Sequence, residues 1–352
     1  MMALRRVRLG FLMAVAAAVV ALAVAHLTAT ASGLQPTTRL RVGGGWPVIA
    51  AAGDIACDPS YSGFNGGNGS RSREVCQAKS VADLITAQHV VAVLPLGDLQ
   101  YECGSSTAFQ RSYGQSWGRF NSIAHPALGN HDYGHTCGLD DPRPYLDYFG
   151  GRAGSVGHGY YSYDVGSWHL IALDSECLYR GAPAWLNARY CGAGSSEEHW
   201  LRNDLAQHQG SLCTLAYWHK PRFSSGVHGD NQQMSAIWND LVAAHVDVVL
   251  SAHSHDYERF APLGPAPHEH RRPGLDPTYQ NPTLDPPGIR EFIVGTGGRS
   301  LDRFPRPPLR GEVVRNNTSF GALFLTLRPA GYDWRFLSAG SSFSDSGSAA
   351  CH

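Results

Sequence analysis

Charge is scarce in this 352-residue chain: only 16% of residues are charged, and 28 basic against 29 acidic residues leave a formal net charge of −1. So even a balance provides no basic stripe, and no nucleic-acid binding is expected. Cysteine is present eight times, at Cys57, Cys76, Cys103, Cys137, Cys177, Cys191, Cys213 and Cys351, yet never as a C-x-x-C pair. A zinc knot is therefore not expected, whereas up to four disulfides formed in an oxidising compartment are. Neighbours in sequence suggest Cys57 with Cys76, Cys103 with Cys137 and Cys177 with Cys191, leaving Cys213 and Cys351. Internal repeats are missing, as is any break that would mark a second domain. What the chain has in quantity is apolar residues, 43%, together with 40 glycines and 21 prolines, the balance of a globular, sheet-rich protein with many loops.

The first 31 residues read as a signal peptide. Arg5, Arg6 and Arg8 form a positive start, residues 9–27 are uncharged and alanine-rich, and Ala29-Thr30-Ala31 is an A-x-A cleavage pattern that would leave Ser32 first. Residues 32–45 then form a linker. A secreted or extracytoplasmic protein is expected, with no stable membrane insertion after cleavage. An uncleaved membrane anchor is the alternative, because the run approaches the length of a span. Arg5-Arg6 also allows a twin-arginine signal.

The run VVAVLPLGDLQY, residues 90–101, organises the rest. It reads as a buried strand that stops at Gly97-Asp98, with Tyr101 three residues on. In open α/β sheets functional groups sit just past the carboxyl ends of strands. Asp98 can bridge two cations, and Tyr101 offers a phenolate, a hard anionic donor suited to ferric iron. Upstream, residues 47–52 form a short strand that stops at Gly53-Asp54, and residues 74–88 carry apolar groups at helical spacing, giving a β-loop-α-β unit with both aspartates at one edge. Residues 104–121 look helical. Residues 123–128 are expected to form a strand that ends at Gly129-Asn130-His131-Asp132, and residues 133–159 a loop. A hairpin spans residues 160–174, a helix residues 197–207, and a strand residues 212–218, ending at His219. A helix over residues 232–245 leads to a strand over 246–251 and then His253-x-His255, whose alternate positions would point to one side. Residues 262–287 are a Pro-rich excursion, residues 289–295, 320–327 and 332–337 the last strands, and residues 339–352 a Ser/Gly-rich tail, mobile unless Cys351 pins it.

Five successive strands thus end in a metal-competent group. Taken singly each has a bland explanation, a turn aspartate or a satisfied histidine; the joint pattern does not. Gly53-Asp54, Gly97-Asp98-x-x-Tyr101, Gly129-Asn130-His131-Asp132, His219, His253-x-His255 with Tyr257-Glu258-Arg259, and the late turn Gly295-Thr296-Gly297-Gly298 resemble the motif blocks of the calcineurin-like metallophosphoesterases, and specifically their purple acid phosphatase branch. Tyr101 is the most specific element; Ala56 stands where ordinary members usually carry histidine, and Ala252 where they carry glycine. The resemblance covers about residues 47 to 338.

It implies a four-layer α/β metallophosphoesterase fold over residues 46–338, with two mixed β-sheets packed as a sandwich and helices on both outer faces. It assigns Asp54, Asp98, Tyr101 and His255 to a ferric ion, and Asp98, Asn130, His219 and His253 to a divalent iron, zinc or manganese. It implies a phosphatase that hydrolyses small phosphomonoesters with a metal-activated hydroxide and His131 assisting. His228 is a candidate for touching substrate, and Asp132 for buttressing. A phosphodiesterase or nucleotide-pyrophosphate hydrolase using the same metals is the nearest alternative, and a non-catalytic envelope binding protein the next. No long β-sandwich region precedes Asp54, so a single catalytic domain is expected.

Overall fold

Period-two alternation of side chains in short apolar strands decides the architecture. The computed structural model describes residues 45–68, 76–155, 158–176, 191–267 and 279–352. The expected signal peptide and nearly all of the linker fall outside these residues, as does Cys177.

One sheet has the order β12-β11-β10-β1-β2, built from β1 (Val48–Ala52), β2 (Ala92–Pro95), β10 (Gly321–Arg328), β11 (Gly331–Ser338) and β12 (Ser344–Ala350). Within it only β1 and β2 are parallel. The other sheet holds β3 (Tyr161–Val165), β4 (Trp168–Ala172), β5 (Cys213–Tyr217), β6 (Val248–Ser251), β7 (Tyr257–Phe260), β8 (Arg290–Val294) and β9 (Glu312–Asn316), in the order β3-β4-β5-β6-β8-β7-β9. Its centre, β4 to β8, is parallel, and both edges are antiparallel. Both sheets are mixed, as the resemblance implied.

Alternation sorts the second sheet into two faces. Leu170, Leu215, Tyr217, Leu250, Phe292 and Val294 join the core shared with the first sheet. Ile171, Ala216, Val249 and Ile293 point the other way, into a core with Leu201, Ile237, Trp238 and Leu241. Those four lie on α4 (Ser196–Gln207) and α5 (Ser235–Ala243), which cover the outer face. On the opposite side α1 (Ala78–Thr86) lays Ala78, Val81, Ala82 and Ile85 on β10 and β11. Helix, sheet, sheet and helix therefore form four layers.

Some expectations need correction. Residues 123–128 make only isolated bridges, Ala124 with Val93 and Ala127 with Leu96. Pro126 has no N–H for a ladder, and its carbonyl accepts from Tyr145 and Tyr161. Residues 104–121 break into α2 (Ser106–Arg111) and two 3-10 turns, because the Ser112 and Ser116 hydroxyls bond to carbonyl oxygens at the breaks. Residues 133–159 are not all loop: α3 (Arg143–Phe149) has proline in its first turn, where a missing N–H costs nothing, and buries Tyr145, Leu146 and Phe149. Strands β7 and β9 were not foreseen. The Ser/Gly-rich tail is a full edge strand, β12, running antiparallel to β11 and closed by a Cys213–Cys351 disulfide.

Cys57–Cys76 and Cys103–Cys137 are also bridged, and Cys191 is disulfide-bonded. Cys213 and Cys351 lie 138 residues apart, and a loop that long loses much unfolded-state entropy when closed. Replacing Cys351 by serine is expected to lower stability by about 2–4 kcal/mol. Urea unfolding under non-reducing conditions measures this; a midpoint equal to the wild type would show that the bridge does not hold the edge.

Candidate metal centre

Strands β1 and β2 end side by side, and both chains turn sharply at the same level. Asp54 (φ 59°), Asp98 (φ 50°) and His253 (φ 65°) all adopt left-handed backbone, a conformation that costs about 1–3 kcal/mol at a non-glycine residue. Main-chain bonds hold it: Asp54 N–H donates to the Gly97 carbonyl (3.1 Å), Ile55 to Asp98 (3.0 Å) and Ala56 to Leu99 (3.0 Å). Glycine precedes each aspartate because there is no room for more. A Cβ at Gly53 would lie 2.5 Å from the Ala252 Cβ, and one at Gly97 2.6 Å from the His219 side chain.

His253 and His255 are not on a strand, so the alternation argument fails. They occupy a tight turn between β6 and β7, and other bonds aim them. His253 N–H donates to Asp54 Oδ2 (2.8 Å), while His255 Nδ1 pairs with Ser300 Oγ (2.7 Å).

Six predicted residues, Asp54, Asp98, Tyr101, His219, His253 and His255, converge as two groups that share one carboxylate. In the first, Tyr101 Oη lies 2.7 Å from Asp54 Oδ1, 3.0 Å from His255 Nε2 and 3.2 Å from Asp98 Oδ2. In the second, His219 Nε2 lies 3.1 Å from that same Asp98 Oδ2 and 3.2 Å from His253 Nδ1. Asn130 Oδ1 is buried with no hydrogen-bond partner. His219 Nδ1 must donate to the Leu96 carbonyl (2.8 Å), so a neutral His219 turns a lone pair toward Asp98 and His253. Donor atoms of Asp98, His219 and His253 all lie within 4.8 Å of one another. Crowded lone pairs and an orphaned amide oxygen are what cations would satisfy, so the residues fit a pair of metal ions.

Electrostatics agree. Burial works against the negative charge of Asp98, yet His219 and His131 hold its carboxyl well below the ordinary range. Burial opposes the charge on His219 as well, but Asp98 and Asp54 push it up to about 10. Burial, then His219 and His228, drive His253 well below the ordinary range, leaving its lone pair available. Burial and the two aspartates hold Tyr101 well above 10.0, a penalty that a bound cation reverses.

Around the donors, the Asp132 carboxylate accepts N–H groups of Leu99 (3.0 Å) and Gly129 (3.1 Å), stitching two strand-end loops together. His131 N–H donates to Asp98 Oδ1 (2.7 Å), and its ring lies against Tyr101 with centroids 4.0 Å apart. His228 stands at the rim, 42% exposed, with its ring 4.4 Å from that of His253. Sequence reasoning missed Arg299, Ser300, Glu102 and Asp302. The Gly297-Gly298 turn was noticed, and the two residues that follow it, which enter the site, were the available signal.

The sequence model for the calcineurin-like phosphoesterase family matches residues 48–257. Purple acid phosphatase 21 of Arabidopsis thaliana is 29% identical over 166 residues, 44% of this chain and 32% of that protein. An acid phosphatase of Aspergillus ficuum is 27% identical over 147 residues, 33% of this chain and 24% of that protein. The matched segments thus span a third or less of these two relatives' own length. Among solved structures, purple acid phosphatase PPD1 of yellow lupin superposes with a TM-score of 0.62 at 17% identity, covering 86% of this chain and 53% of that one. GAP50 of Plasmodium, at 12% identity, reaches 0.56 over 87% of this chain and 89% of its own. Likeness at such identities shows the fold.

His219, raised from 6.5 to about 10 when no cation competes, makes a pH prediction. A group raised in the folded state stabilises it fully below the unfolded pKa and loses that effect as pH climbs through the folded pKa. Chelator-treated protein should therefore lose stability between pH about 6.5 and about 10. Metal-loaded protein should lack this component, since the imidazole coordinated through Nε2 is neutral, with no proton on that nitrogen to lose. Denaturant melts at stepped pH, with and without chelator, check both; parallel profiles would contradict the assignment.

Proposed function

The chain belongs to the calcineurin-like phosphoesterase family, and from that premise we propose that it is an exported binuclear-metal phosphatase hydrolysing small phosphomonoesters. One observation carries the reading: Asp98 Oδ2 lies 3.2 Å from Tyr101 Oη and 3.1 Å from His219 Nε2, so a single carboxylate oxygen faces both donor groups. Asp54, Asp98, Tyr101 and His255 are assigned to a ferric ion. Asp98, Asn130, His219 and His253 are assigned to divalent iron, zinc or manganese. Such a pair, when bound, clamps phosphoryl oxygens and makes water reactive at mild pH.

The chain's own residues do the rest. His131 donates its Nδ1–H to the Glu102 carbonyl (2.7 Å), which leaves Nε2 as the nitrogen that, as an imidazolium N–H, gives its proton to the leaving oxygen and is left with a lone pair. Asp98, through the His131 main chain, fixes where that ring starts. His228, 42% exposed at the rim, is assigned to meet a phosphate oxygen. Asp132 keeps Asn130 and Asp98 in register by holding both loops. The named activities of the matched relatives, purple acid phosphatase and acid phosphatase, support the substrate class. Three disulfides, with Cys191 in a further one, support export to an oxidising compartment. Among the described residues no helix is long and apolar enough to cross a membrane.

Turnover of an aryl phosphate beside a bis-aryl phosphate tests the function; preference for the diester by orders of magnitude would overturn the monoesterase reading, and background release from wild type and His219→Ala alike would overturn the enzyme. His131→Ala should lower kcat by about 100-fold or more while metal content stays at two per chain. A ferric site with Tyr101 predicts a visible charge-transfer band that Tyr101→Phe abolishes. Sequencing the mature amino terminus checks cleavage before Ser32.

A further inference from the structure

Arg299 is pinned beside Tyr101 by both its main chain and its side chain. It follows Gly298, where φ is 147° and an added Cβ would lie 2.5 Å from the Ala78 backbone and 2.8 Å from the Ile55 carbonyl oxygen. That close passage carries Arg299 N–H onto the Asp54 carbonyl at 2.8 Å. The side chain is 17% exposed, and its guanidinium lies 5.1 Å from the Tyr101 ring centroid and 5.0 Å from that of Tyr61. Nη2 pairs with Glu102 Oε1 at 2.5 Å, while Nε is buried without a hydrogen bond. A cation within about 6 Å of a ring face is drawn to it, more strongly where water is excluded.

We propose that Arg299 is a positioning residue for Tyr101, its guanidinium fixing the ring and stabilising the electrons of the phenolate that binds ferric iron. Glu102, paired with the guanidinium, moderates that charge. The inference rests on the ferric–phenolate reading above. In charge transfer an electron leaves the phenolate, moving away from the guanidinium, so the cation raises the energy of the transition. The same charge favours the less positive state of the metal, so it raises the ferric reduction potential.

The test is the visible spectrum of full-length protein loaded with ferric and zinc ions, with iron content measured on each sample. Arg299→Leu should move the band to longer wavelength and lower the potential; Glu102→Gln should move the band to shorter wavelength; Arg299→Lys should restore most of the wild-type position. Opposite shifts from the two members of one ion pair cannot come from general loosening. A band unmoved in both Arg299→Leu and Glu102→Gln, with wild-type iron content, overturns the proposal alone. If Arg299→Leu does not fold, the sign of the Glu102→Gln shift decides. Absence of any phenolate band in the wild type overturns the ferric reading and this inference with it.

Discussion

The oxygen Asp98 Oδ2 is where the two halves of the site meet, and much of the surrounding structure serves to hold it in place. Its companion oxygen is tied to His131 N–H at 2.7 Å, its backbone is kept left-handed, and its carbonyl accepts from Ile55. Gly129 supplies the remaining constraint. The Gly129 main chain passes so close to Asp98 that an added Cβ would collide with its main-chain nitrogen and its carboxylate. Asp132 then closes the arrangement by accepting N–H groups from both loops. Rigid parallel strands below and stitched turns above leave the carboxylate little freedom, which is the condition for presenting one oxygen to two cations.

The cost of this arrangement shows in the burial. Asp54, Asp98 and His219 are at most 1% exposed, level with the aliphatic core of β1, β2 and β5, the strands they follow. Charges so placed are tolerated only when paired or bound to metal. Protein partners supply part of the pairing: His255 for Asp54, His219 for Asp98. They leave the Asn130 amide oxygen unsatisfied and the Tyr101 hydroxyl far from ionising. The polypeptide alone therefore completes the second half of its own network poorly. Metal loading should stabilise the fold as well as equip it, by the ordinary linkage between binding and folding.

How much of this the sequence disclosed depends on the distance over which each feature is determined. Strands such as β2 declare themselves by uninterrupted apolar residues, and the Gly-Asp turns by local chemistry, so Asp54, Asp98, Tyr101, His219, His253 and His255, which the fold brings together, could be singled out from the sequence, and Asn130 with them. Helix α3 was hidden because Pro142 and Pro144 look like loop until proline is read as a helix start. Strand β12 has almost no β-forming residues; its conformation comes from the open edge of β11 and the Cys213 bridge, both remote in sequence. The bridges at Ala124 and Ala127 are the reverse case, an apolar run whose ladder Pro126 interrupts. Arg299 and Ser300 reach the site from about 200 residues beyond Tyr101, carried there by a glycine turn whose shape, not its composition, matters.

Under the proposed assignment, charge complementarity bears on the choice between monoester and diester. In the assignment proposed here the donors carry three negative charges, on Asp54, Asp98 and a Tyr101 phenolate, while a ferric and a divalent ion bring five positive ones. Nearby side chains narrow the difference: Arg299 is neutralised by Glu102 and Lys220 by the buried Glu176 at 2.6 Å, while the Asp302 carboxylate, with Oδ2 3.9 Å from His255 Nδ1, offsets part of the surplus. What remains of the surplus lies among buried groups, where field lines are poorly screened. A phosphomonoester at neutral pH carries close to two negative charges and a diester only one. A surplus of two is cancelled by the dianion and a surplus of one by the monoanion. The Asp302 carboxylate therefore bears on the choice between the two esters: with its charge beside the ions the surplus shrinks toward what a diester carries, and without it a monoester is the better match.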